Sequence, residues 1–368
     1  TVICLSGDVS DTAGGGPLVS GQVYHLSNVN VPVGQTLSVD PGAIVKVHAS
    51  AMIEVRGTLL AAGGLFTSVK DDSAGGDTNG DGAASLPARG DWDGIVFYDN
   101  ADASLLDQVE VRYAQVGIAL FAADVTLTQV QVSECSSFAM DLKGSSHPVV
   151  SSCSFTNSRF AVQGVPLAAI PGFTGNTAGS NDLGDYMQVT DVTMTANLTI
   201  GPANSLGSAP FGVCRVVIVP AGLTLTLLPG TIVKFGAAAF PNPSCTIQGF
   251  EVSGTLDADG VVFTSLYDDT VAGDTNKDGA ATLPLPGDWS NFTFKSTSDA
   301  SSVRNSVIRY AGQTIARTLF DTSPLSRSPT LCTSSSASRR ARPTGCASTR
   351  TPSRRSATAP SSATPAWP

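Results

Sequence analysis

Apolar and polar positions alternate along this chain in short runs. Val109-Glu110-Val111, Val130-Gln131-Val132 and Cys153-Ser154-Phe155 each place two apolar residues around a polar one, at separations of 21 and then 23 residues. Such alternation predicts a strand with one buried face. A recurrence of about 22 residues falls in the range of solenoids and is too short for a strand pair with a crossover helix. Each coil would supply short strands that stack on the same strands of the next coil. Val, Ile, Leu and Phe then form internal columns, and Thr and Ser face out. One coil cannot bury its apolar face alone, so stacking has to make the core.

A longer repeat encloses the short one. Gly34-Gln35-Thr36-Leu37-Ser38-Val39-Asp40-Pro41-Gly42-Ala43-Ile44-Val45-Lys46 returns 188 residues later as Gly222-Leu223-Thr224-Leu225-Thr226-Leu227-Leu228-Pro229-Gly230-Thr231-Ile232-Val233-Lys234. By Gly57-Thr58-Leu59 and Gly254-Thr255-Leu256 the offset is 197, which places a nine-residue insertion around Pro241 to Gln248. From Asp71 to Phe97 the second copy aligns without gaps, with 16 of 27 positions identical. Val111-Arg112-Tyr113-Ala114 then becomes Ile308-Arg309-Tyr310-Ala311. The chain is an internal duplication.

The run Leu37…Pro41-Gly42…Val45-Lys46, with Gly57-Thr58-Leu59, Phe66-Thr67-Ser68 and Gly90-Asp91-Trp92, resembles bacterial extracellular right-handed β-helix repeat proteins of the pectate-lyase-like superfamily, over residues 20–313. The resemblance implies an all-β, right-handed parallel β-helix with inserted acidic loops. It implies little about function, because this fold hosts lyases, hydrolases, adhesins and passive surface proteins. The expected organisation is a lead-in or cap over 1–19, a first module over 20–185, a second, truncated module over 186–313, and a tail over 314–368.

Charge separates the tail from the body. The net charge is −9, but residues 314–368 hold eight Arg, no Lys and one acid, Asp321, for +7, which leaves −16 on the rest. An acidic body disfavours nucleic acid as a partner. The tail is almost entirely Ser, Thr, Pro, Ala and Arg, the residues that C- and G-rich codons yield out of phase. A frameshift near Thr314 is the leading reading and a Ser/Thr/Pro-rich linker the other; a disordered segment is expected under both. The seven Cys are far apart and show no zinc spacing, so buried free thiols are expected, with one or two disulfides still open. The most apolar stretch, Phe211 to Phe235, is broken by Arg215, Pro220, Gly222, Pro229 and Gly230, which makes it strands and not a membrane span. The chain starts at Thr1 without a signal peptide, so a mature or trimmed form is expected.

The strongest chemical signal is Asp77-Thr78-Asn79-Gly80-Asp81-Gly82, repeated as Asp274-Thr275-Asn276-Lys277-Asp278-Gly279. Oxygens at the first, third and fifth positions of such a loop converge on one point, as a hard cation requires. The Glu that closes an EF-hand is replaced by Ala88 or Leu285, so a further carboxylate is needed, and Asp71-Asp72 and Asp268-Asp269 stand just upstream. Two calcium sites are expected, from Asp71, Asp72, Asp77, Asn79 and Asp81 and from Asp268, Asp269, Asp274, Asn276 and Asp278. The plainer alternative is a set of metal-free Asx-turns. Trp92 and Trp289 are expected to pack over the returning chain; exposure for sugar stacking is the other reading.

No catalytic motif emerges. Calcium-dependent polyuronate lyases of the superfamily use a basic residue to abstract a proton, and Arg112 or Arg309 would have to serve, yet both recur at equivalent positions as a structural residue would. The three His, at 25, 48 and 147, form no triad with a Ser. The expectation is a secreted or cell-surface monomer with a structural, adhesion or carbohydrate-binding role, partnered by a polysaccharide or cell-surface glycan through faces such as Val125-Thr126-Leu127-Thr128. A calcium-dependent polysaccharide lyase or a glycoside hydrolase is the alternative.

Overall fold

The computed structural model describes residues 2–12, 14–236 and 248–312. The chain divides into two compact units, Thr1–Ser334 and Ser335–Pro368. The second lies outside the described residues, as do the tail reading over 314–368 and all of the expected insertion except Gln248.

The first unit is a parallel β-helix. Every pairing between its described strands is parallel, and parallel crossovers are right-handed as a rule. In the first copy three stacks of strands run along the coils. One contains Ile44–Val47, Leu65–Ser68, Glu110–Arg112, Gln131–Ser133 and Ser154–Thr156. The next contains Met52–Val55, Gly94–Tyr98, Val116–Phe121, Phe138–Lys143 and Phe160–Pro166. The third contains Thr36–Val39, Thr58–Ala62, Leu105–Asp107, Thr126–Thr128 and Val149–Ser151. Glu110, Gln131 and Ser154 are register partners, so the short recurrence in the sequence is one turn of the coil. Val45, Phe66, Val111, Val132 and Phe155 form the matching internal column, each at most 1% exposed.

Corners between strands recur as regularly as the strands. Gln108, Gln129 and Ser152 hold positive φ at one corner, and Tyr113, Glu134, Asn157 and Ser180 at another. Buried Ser and Asn side chains satisfy the backbone there. Asn176 accepts from the Cys153 amide and donates to the Val150 carbonyl, and Asn181 does the same for Ser158 and Phe155. Cys135 and Cys153 are buried free thiols, as expected, whereas Cys4 is exposed on the first strand. Burial pushes the Cys135 thiol up to about 12 and the Cys153 thiol up to about 11.

The duplication is not stacked in phase. Ile232–Phe235, the counterpart of Ile44–Val47, does not continue that strand's stack. It continues the neighbouring one, through Phe160–Pro166, Met187–Asp191 and Phe211–Val213. Counterparts of Met52–Val55 and Gly94–Tyr98 found a new stack, Val216–Val219 with Gly249–Val252 and Phe292–Phe294. The two copies still share one apolar core, from Val9 to Trp289. The slip by one stack makes the two acidic loops leave the helix from different corners.

Candidate functional site

Each acidic loop interrupts one coil at the same point of its copy. The first joins Leu65–Ser68 to Gly94–Tyr98, and the second joins Val262–Ser265 to Phe292–Phe294. The chain re-enters the helix at Trp92 and Trp289, both fully buried, whose indole N–H donates to the carbonyls of Arg112 and Arg309. These are packing residues, as the first of the two expectations had it. Asp91 helps close the first loop by accepting from Ser68, Lys70 and the Ala88 amide; Asp288 accepts from Ser265 and the Leu285 amide.

Of the expected ligands, the structure gathers three carboxylates per loop. Those of Asp72, Asp77 and Asp81, and of Asp269, Asp274 and Asp278, offer oxygens within 4.8 Å of one another. Asp77 is shaped by its turn, accepting from the Gly80 amide at 2.7 Å and the Gly82 amide at 2.8 Å. These amides, Gly82 foremost, hold its carboxyl below the usual range. Asn79 and Asn276 turn their amide nitrogens to Asp81 and Asp278 at 3.0 and 2.8 Å.

The other two expected ligands, Asp71 and Asp268, are used elsewhere. Asp71 is 1% exposed and accepts from Thr67 at 2.5 Å, from Ser73 at 2.5 Å and from the Arg112 guanidinium at 2.7 Å. Burial pushes its carboxyl up, but Ser73, Thr67 and Arg112 outweigh burial and hold it below the ordinary value. Asp268 makes the same bonds to Thr264 at 2.6 Å and Thr270 at 2.5 Å, while Arg309 stands 3.5 Å away. These two acids brace the first turn of each loop.

What remains at the triads is unmet acceptor capacity. Asp72 Oδ1 in the first loop, and Asp269 Oδ1, Asn276 Oδ1 and Asp278 Oδ1 in the second, are buried with no hydrogen-bond partner. Asn276 as a whole is 6% exposed. Unmet oxygens beside like charges are costly. Burial and the neighbouring Asp274 push the Asp269 carboxyl above its ordinary value. A hard cation with oxygen ligands would satisfy all of them, and an all-oxygen set does not suit zinc.

The sequence reading missed Lys46 and Lys234, although both lie in the quoted repeat. Both are fully buried. Lys46 Nζ donates to the Gly76 carbonyl at 2.7 Å. Lys234 Nζ donates to Thr275 Oγ1 at 2.6 Å and to the carbonyls of Asp268 and Gly273. Burial lowers the Lys234 ammonium to about 8 against the pull of Asp268, Asp269 and Asp274. The signal was available: a Lys preceded by an apolar run in both copies, on a strand facing an acidic insertion. His25 also reaches the first loop, through Thr78 at 2.9 Å.

Arg112, the proposed base of a lyase, is committed to Asp71 and Glu110, and these acids raise its pKa over the opposing effect of burial. That is the reverse of what proton abstraction needs. A cavity of about 500 Å³ lies against the second loop, lined among others by Asp185, Tyr186, Ser208, Asp274 and Lys277. No helix of the described residues is long and apolar enough to cross a membrane. No protein-family model matches this chain, and neither curated proteins nor solved structures give a match.

Proposed function

We propose that this chain is the β-helical body of a secreted or cell-surface protein with a structural, adhesion or carbohydrate-binding role, and that calcium rigidifies its two inserted loops. The observation that carries the calcium part is the second loop: three carboxylates converge, and three buried oxygens there have no partner. Sites built from three carboxylates suit the high calcium concentrations outside cells, where modest affinity suffices. The carbohydrate part rests on a rigid stack of coils with long outward faces, on which many weak contacts can add up. Against the lyase alternative stand the engaged Arg112 and the repetition of its position in Arg309.

The test combines stability with turnover. The chain is incubated with acidic and neutral polysaccharides plus calcium, and the polymers are analysed for released oligosaccharides. We expect intact polymers, and a melting temperature that rises with calcium and falls on chelation. Unsaturated or newly reducing fragments lost on chelation would make the lyase or hydrolase class the leading one. A melting temperature indifferent to calcium would leave the triads as Asx-turns.

A further inference from the structure

The first copy carries an outward strip that the two comparable coils of the second copy lack among the described residues. Arg56, Tyr98, Phe121 and Lys143 occupy successive coils at the ends of one stack, with Tyr98–Phe121 and Phe121–Lys143 in direct register. The Tyr98 and Phe121 rings stack at 5.5 Å, the Arg56 guanidinium lies 4.1 Å from the Tyr98 ring centre, and the Lys143 ammonium 4.7 Å from that of Phe121. Across the next corner, the third stack turns Leu60, Leu105 and Val149 outward, at 39%, 41% and 50% exposure, with Thr126 on the rung between Leu105 and Val149. Solitary exposed apolar residues need no explanation, but two ladders flanking one corner over several coils do.

The duplication supplies the control. Arg56, Leu60, Tyr98 and Leu105 correspond to Ser253, Asp257, Lys295 and Ser302 in the second copy. The same positions of the same coil design are therefore filled by small or charged residues when only solvation is required. The coil design therefore tolerates polar residues at these positions, and the apolar strip is a choice of the first copy and not a requirement of the fold.

We propose that this strip binds a neutral polysaccharide chain laid along the helix axis. The proposal rests on the carbohydrate-binding side of the reading above. Rungs repeat at about 4.8 Å, a step close to that of one sugar unit in an extended chain, so successive units can meet successive rungs. Leu60, Leu105 and Val149 offer apolar contact to sugar C–H groups, the positive edges of the Tyr98 and Phe121 rings meet sugar oxygens, and exposed Asp99, Asp102 and Asp124 at the corner accept hydroxyls. Charge selects a neutral polymer. Arg56 is paired with Glu54 at 3.0 Å and Lys143 with Asp141 at 3.2 Å, so these cations are offset and the exposed Asp99, Asp102 and Asp124 leave the corner negative, which disfavours a uronate.

The experiment gives the strip the second copy's residues, Arg56→Ser, Leu60→Asp, Tyr98→Lys and Leu105→Ser together, in the full chain. Affinity electrophoresis in gels of xyloglucan, mixed-linkage glucan, galactomannan and, as the acidic comparator, polygalacturonate reads binding. We expect at least one neutral polymer to retard the wild type, and the variant to bind it at least tenfold more weakly with an unchanged calcium response. Equal retardation of both overturns the strip but leaves a glycan-binding protein. A wild type retarded by none of the polymers, or by polygalacturonate alone, overturns the proposal, and in the former case the glycan reading with it. Sedimentation that shows a wild-type dimer lost in the variant assigns the strip to self-association and overturns it too. Should the fourfold variant not unfold cooperatively, Tyr98→Lys and Leu105→Ser are tested singly.

Discussion

The two acidic loops share most of their sequence and hold themselves in place differently. In the first, Arg112 grips Asp71 at 2.7 Å, while Lys46 reaches one carbonyl, that of Gly76. In the second, Arg309 stands off at 3.5 Å, while Lys234 donates to three acceptors. The unmet oxygens follow the same division: one in the first triad, three around the second. The first loop is braced chiefly by its own acid–guanidinium pair, and the second depends on its buried ammonium and on the cation we propose. Identical residues do not guarantee identical energetics when the underlying stack differs, and the slip by one stack puts different rungs beneath each loop.

The largest expected effect tests that division directly. Asp71→Asn leaves the Arg112 guanidinium, 20% exposed, without its closest carboxylate. Breaking such a buried pair costs about 3 kcal/mol. Asp268→Asn should cost less, about 2 kcal/mol, because Arg309 is 36% exposed and more distant, although the buried Lys234 loses a countercharge. Chemical unfolding of both variants measures the ranking; equal costs would show that the guanidinium distance does not matter. Acid carries the same signature. Both carboxyls lie below their unfolded value in the fold, so their stabilisation is complete above the ordinary carboxylate range and lost as pH falls through the lowered values.

Calcium should discriminate the loops in the opposite order. Calorimetric titration is expected to resolve two sites, the tighter by about tenfold, or about 1.4 kcal/mol. Asp278→Asn should abolish the tighter one and Asp81→Asn the weaker. If Asp81→Asn removes the tighter site, the count of unmet oxygens is no guide to affinity. Asp269 gives a further check. Its carboxyl is raised in the fold, so it destabilises at neutral pH, and acidification through the raised value relieves that cost. Chelated protein should therefore gain slightly in stability on mild acidification, and calcium or Asp269→Asn should remove the gain.

Much of this was legible beforehand, for physical reasons. Burial of one strand face forces two-residue alternation, so Glu110, Gln131 and Ser154 announced their register. Asp77, Asn79 and Asp81 announced a convergent loop, because the turn itself sets their spacing. What stayed hidden depends on contacts distant in sequence. Asp71 and Asp72 are adjacent and chemically equivalent, and the fold decides which one leaves the triad by turning Asp71 onto the Thr67 and Ser73 hydroxyls and onto Arg112, 41 residues away. Lys46 and Lys234 stood out in the sequence only as a Lys closing an apolar run in both copies, and their burial beneath the loops took the fold to show. The slip between copies was equally invisible, since an offset of 188 residues says nothing about which stack receives the second copy.

The smallest effect lies where the loops differ by one residue at the turn. Gly80 and Lys277 both hold left-handed backbone, at φ 76° and 58°. Glycine adopts it freely, whereas a side chain there costs about 1 kcal/mol. Lys277 offsets that cost by reaching Asp185 of the first copy at 2.6 Å, through a partly exposed pair worth up to about 1 kcal/mol. Lys277→Gly removes strain and pair together, so thermal unfolding should move by no more than about 1 kcal/mol, the difference of the two. Gly80→Lys adds the strain at an exposed turn with no acid shown to pair with it, and should cost about 1 kcal/mol. A Lys277→Gly loss above about 2 kcal/mol would mean that the pair with Asp185 clamps the second loop against the first copy more strongly than an exposed ion pair can.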